Sequence, residues 1–145
     1  MRRLAEDNIK DEMLKLADLL TKHKAKNFTY RCFDLQDYYG GTIDNLTAVS
    51  FPRNAMGDQI RYTINLVDNS SDNQVLANAS CTAGSTNPPV LGLAQEWSMI
   101  VTKNTRNSLV GSQSYNFLLT SQGMRCKNKS NTITRNSCGT GAETW

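Results

Sequence analysis

A chain of 145 residues is long enough for one domain with a real hydrophobic core and too short for two ordinary ones. A hydrophobic fraction of 39% beside a charged fraction of 20% excludes a disordered composition. A net charge of +3 excludes the strongly basic balance of a dedicated nucleic-acid-binding domain.

From Arg2 to Lys26 there is no Gly or Pro, and Ala5, Ile9, Met13, Leu16, Leu20 and His23 recur at spacings of three and four, which predicts one amphipathic helix. Glu6 with Lys10, and Asp11 with Lys15, stand one turn apart with the acid first, the order that favours ion pairing on a solvated face. Nothing before Leu4 provides a side-chain cap, so the helix reads as one cut open, with any export signal or apolar segment expected upstream. Residues 27–58 read as a long, partly ordered connection with turn signals at Gly40-Gly41, Pro52 and Gly57.

The sheet is expected within residues 59–121. Ile60, Tyr62, Ile64 and Leu66 alternate with polar residues and mark a half-buried strand; Gln74 to Cys81 is a weaker strand candidate. Trp97, Met99 and Val101, then Tyr115, Phe117 and Leu119, supply one face each of two further strands in an antiparallel meander. The remainder, from Met124 on, is polar and turn-rich, with a short edge strand expected at Thr132–Thr134 and Trp145 as its one core-like residue. One helix followed by antiparallel strands is an α+β arrangement, the helix covering one face of the sheet.

Cys32, Cys81, Cys126 and Cys138 contain no CxxC pair, and His23 offers no zinc-ligand spacing with them. Two disulfides are the remaining reading, and these persist in an oxidising compartment; four buried thiols in a reducing one are the bland alternative. The short loop between Cys126 and Cys138 favours that pairing, with Cys32 to Cys81, among three connectivities. Closing it is worth about 3 kcal/mol through unfolded-state entropy.

No nucleophile, zincin, phosphate-loop, calcium-loop or dinucleotide motif occurs, and the loop acids Asp34, Asp37, Asp44 and Asp58 form no carboxylate pair, so the chain is read as non-enzymatic and free of cofactors and metals. His23 is better placed at the core edge than in catalysis, and the aromatics Tyr30, Phe33, Tyr38 and Tyr39 pack the connection. The cations Lys103, Arg106, Arg125, Lys127, Lys129 and Arg135 gather in the polar loops and are the candidates for contact with DNA phosphates.

Two stretches, EDNIKDEMLKLADLLTKHKAKNFTYRCFD and LLTSQGMRCKNKSNTITRNSCGTGAETW, resemble type IV pilins of Gram-negative bacteria. The NFTY helix exit, and the LTSQG strand end followed by a cysteine, are most similar to PilE-like and ComP-like minor pilins. The resemblance implies a pilin fold: residues 1–26 as the second half of a long helix packed on a four-stranded antiparallel sheet, 27–58 as the αβ-loop, and 126–138 as the disulfide-bounded region. It implies other pilin subunits as partners, the inner membrane as the anchor of an absent N-terminal half-helix, and passage through the periplasm to a cell-surface pilus. Two functions follow as expectations: a minor filament subunit serving assembly, twitching motility and adhesion, or a pilus-borne receptor for extracellular DNA in natural transformation.

Overall fold

The structure, a computed structural model, describes residues 2–33, 35, 48–52, 55–70, 75–77, 81, 93–108, 110–111 and 113–145. The loop acids Asp34, Asp37 and Asp44, the aromatics Tyr38 and Tyr39, and Gly40-Gly41 lie outside these residues.

Helix α1 spans Arg2–Asn27, 26 residues and about 39 Å at the usual rise. Its periodicity is realised as burial: Ile9, Met13, Leu16 and Leu20 are at 0% exposure and Ala5 at 1%. His23 instead sits half-buried at the stripe's end. Its Nε2 lies 2.9 Å from the Arg31 carbonyl, which can only accept, so Nε2 carries the proton and Nδ1 faces the Asn27 amide. The expected Glu6–Lys10 and Asp11–Lys15 pairs do not form; Asp18 and Lys22 pair at 3.0 Å, while Glu6 and Lys10 turn toward the sheet. The helix stops at Phe28, which adopts φ +64° with its N–H on the Lys24 carbonyl at 2.7 Å.

The expected four-stranded sheet is corrected: among the described residues six antiparallel strands run in chain order, β1 (Ala48–Phe51), β2 (Tyr62–Asp68), β3 (Trp97–Lys103), β4 (Asn116–Thr120), β5 (Arg125–Asn128) and β6 (Glu143–Thr144). A pilin fold built on four strands is therefore not what this chain adopts, although the α+β class holds. β1 comes from the stretch read as connection, and β5 and β6 from the stretch read as turns. The candidate at Gln74–Cys81 forms no strand over its described residues 75–77 and 81; Leu76 is buried there as an irregular segment whose carbonyl accepts from the Cys32 N–H at 2.7 Å. The edge strand expected at Thr132–Thr134 reduces to a single bridge between Thr134 and Ser137.

Register explains which side chains meet α1. Tyr62, Ile64 and Leu66 lie opposite Lys103, Val101 and Met99, and these in turn face Phe117 and Leu119. The alternation of β2 thus places one continuous apolar face under the helix stripe, and the two form one core.

The opposite face mixes Ile100 and Leu118 with Ser98, Thr102, Asn116 and Thr120, and the C-terminal loop lies against it. The Asn116 amide donates to the Ser130 carbonyl at 3.0 Å and to Asn131 Oδ1 at 3.2 Å, and the Ser98 hydroxyl donates to the Arg135 carbonyl. Asn128 is the hub of that loop: its Nδ2 donates to the carbonyls of Cys138 (2.8 Å) and Thr140 (2.9 Å), and its Oδ1 accepts from the Ser130 N–H and hydroxyl. Disulfides join Cys32 to Cys81 and Cys126 to Cys138.

Candidate functional site

Strand β5 has the sequence RCKN and continues into Lys129. Side chains alternate across a strand, so Arg125 and Lys127 share the helix-side face, opposite Leu119 and Phe117. The helix stripe shares its core with residues of β1 to β4, whereas on β5 Arg125 is exposed and Lys127 half-buried.

Aromatic rings organise the cluster. Lys127 Nζ lies 4.2 Å and Lys129 Nζ 5.2 Å from the centre of the Tyr115 ring, and the Arg125 guanidinium lies 5.4 Å from Trp145. Lys10 reaches from α1 to within 5.6 Å of Phe117, which meets Trp145 edge-on at 5.9 Å. Each such contact is worth about 0.5–1 kcal/mol at an exposed site, enough to favour one orientation of a long side chain. The Tyr115 hydroxyl donates to Glu143 at 2.7 Å, and Glu6 accepts from the Tyr115 N–H at 3.2 Å. Four cations thus gather around two carboxylates, and none of Arg125, Lys127 and Lys129 forms an ion pair among the described residues.

The six cations predicted from sequence separate in space. Arg125, Lys127 and Lys129 come together. Lys103 borders them but is committed inward: its Nζ donates to the carbonyls of Ser114 (2.8 Å) and Lys129 (2.7 Å). Burial first, and then the nearby Lys129, lower its pKa below the usual lysine value against an opposing pull from Glu6. Arg106 pairs with Asp58 at 3.3 Å beside the 3-10 turn of Gly57–Gln59. Arg135 donates to the Asn69 carbonyl and to Asn69 Oδ1, both at 3.0 Å, in the loop that covers the other face. Sequence reading missed Lys10, Tyr115 and Trp145; the signal was the i, i+2, i+4 spacing of Arg125, Lys127 and Lys129, which puts all three on one face of an extended segment.

Beneath the cluster, the Tyr62 hydroxyl lies 2.9 Å from Ser114 Oγ, and Ser114 Oγ donates to Glu6 at 3.3 Å. Burial raises the Tyr62 pKa to about 12, more than the Ser114 hydrogen bond lowers it. This chain of contacts fixes the first turns of α1 to the start of β4. Among the described residues no group of three or more His, Cys, Asp or Glu is arranged to hold a metal ion, and no helix is long and apolar enough to cross a membrane.

Comparison with known proteins finds no matching family model, and no curated protein or solved structure matches the chain at a significant level.

Proposed function

We propose that the chain is a structural subunit, of the minor kind, of a type IV pilus. On this reading it is exported, resides at the inner membrane and in the periplasm, and then joins a surface filament that serves twitching motility and adhesion. The observation that carries the reading is α1. Its stripe of Ala5, Ile9, Met13, Leu16 and Leu20 is taken up by its own sheet, and its outward positions are mainly charged, Asp7, Asp11, Lys15, Asp18 and Lys22, with Leu14 exposed among them. A helix so seated is a rigid spar that offers neighbours a polar surface, as suits a globular part arranged around a shaft. Anchoring and the hydrophobic part of assembly then fall to parts other than this stripe. The two disulfides suit an oxidising compartment and support the same placement. The sequence resemblance supports this role, with a sheet of six strands in place of the four it implied.

A second reading, a pilus-borne DNA receptor, is favoured by the grouping of Arg125, Lys127 and Lys129 with Tyr115 and Trp145. Three phosphate contacts give a salt slope of about −3 on logarithmic axes, and removing Lys127 lowers it by about one. The deciding experiment counts surface pili in a strain lacking the full-length gene and scores DNA uptake beside them. Loss of pili supports the subunit. Intact pili with failed uptake favour the receptor, and a strain normal in both respects overturns the two readings together.

A further inference from the structure

Among the described residues, the molecule carries two groupings of opposite sign whose members form no ion pair: an acidic one on α1, and a basic one on β5 that has Glu143 opposite Lys127 and remains in cationic excess. On the outer ridge of α1, Asp7 and Asp11 are exposed and stand one turn apart, where like charges weaken an isolated helix. Neither forms an ion pair among the described residues. Beyond the helix, Lys127 and Lys129 share one Tyr115 ring, with Arg125 on the same face and no ion pair to any of the three. The two groupings cannot meet inside one molecule. The stripe of Ala5, Ile9, Met13, Leu16 and Leu20 faces the sheet, so Asp7 and Asp11 point away from it, whereas the cations lie on the sheet.

We infer that the β5 face of one copy receives the Asp7–Asp11 ridge of α1 from a second copy. The inference rests on the subunit reading above and names the contact between subunits. Complementary charge is what selects the occupant: two aspartates about one helical turn apart against a row of cations held in place by aromatic rings. The rings hold the ammonium groups before the partner arrives, so little side-chain freedom is lost on docking. Because donor and acceptor patches differ, the contact is heterologous. Such contacts propagate head to tail unless their rotation closes a ring, the behaviour required of a filament subunit. The contact is small and polar, of the weak class, and screening between exposed charges limits it to low ionic strength when it acts alone.

Sedimentation velocity of the 145-residue chain, over rising protein concentration up to about 1 mM and at about 20 mM and 500 mM salt, reads the association directly. Wild type associates at low salt and returns to monomer at high salt. Asp7→Asn/Asp11→Asn and Lys127→Gln/Lys129→Gln, which add no new charge, each remain monomeric alone; mixed, they form a dimer that grows no further, because each retains one intact patch. A wild type that stays monomeric throughout, or a mixture that fails to pair, overturns the inference. The fate of the subunit reading is read separately, by pilus counts in the deletion strain: normal pili beside a confirmed mixed dimer leave the contact standing and remove the filament role.

Discussion

Asn128 and the Cys126–Cys138 disulfide fasten the same loop to β5, so their contributions should not add. The disulfide closes a segment of 12 residues' separation, worth about 3 kcal/mol on the loop-length estimate. Asn128 is 7% exposed and donates to two carbonyls while its Oδ1 receives the Ser130 N–H. Asn128→Ala removes these hydrogen bonds at a buried position and should cost about 2–3 kcal/mol. Once the loop has opened through loss of either restraint, the other has less left to hold. The triple variant Asn128→Ala/Cys126→Ser/Cys138→Ser should therefore lose about 3–4 kcal/mol, against the 5–6 of a simple sum. Urea unfolding of all four forms gives the cycle, provided the slopes agree so that the same surface is exposed in each. Additivity to within about 0.5 kcal/mol would show that the hub and the disulfide act on separate units, and the account of this loop would be wrong.

Three further outcomes are expected. The Tyr62 pKa is raised to about 12 by burial, so its contribution is intact below pH 10 and is lost as pH climbs toward 12, where the unfolded tyrosine ionises first. Urea midpoints across that range should fall more steeply for wild type than for Tyr62→Phe; Lys103, whose lowered pKa gives a slope of opposite sign, is present in both. Met13→Ala, at a position with 0% exposure under the helix, should cost 2–5 kcal/mol by thermal or urea unfolding, and a loss under 1 would mean the stripe is loosely packed. Phe28→Gly should raise stability by about 1 kcal/mol, because the ring is 85% exposed and the residue is held at φ +64°; destabilisation would point to a contact made by that ring.

The legible parts of the fold were those with a one-sided apolar pattern. The helix stripe, and the alternation in β2, β3 and β4, each specify a face, and burial follows that face residue by residue. β5 and β6 have no such pattern: RCKN and ET carry no aliphatic residue, and they join the sheet through backbone pairing and a disulfide. Leu76 misled in the other direction, since its burial comes from the connection packing on the core and not from a strand. Of the candidate cations, Arg125, Lys127 and Lys129 could be grouped from their spacing once β5 was recognised. Lys103 could not be set apart, because its inward commitment depends on Ser114 and Lys129, which reach it through pairings distant in sequence.

The order of the strands has a consequence for how the chain acquires this form. Each described strand pairs with its neighbour in sequence, so pairing of one described strand with the next waits for nothing made later. α1 is the exception, because it comes first and its cover comes from strands that follow it, between Ala48 and Thr120. During synthesis or passage through a pore, Ile9, Met13, Leu16 and Leu20 form an apolar row with no sheet to lie on. That row is the part of the nascent chain most in need of a chaperone or a membrane surface, and it stays so until Phe117 and Leu119 arrive.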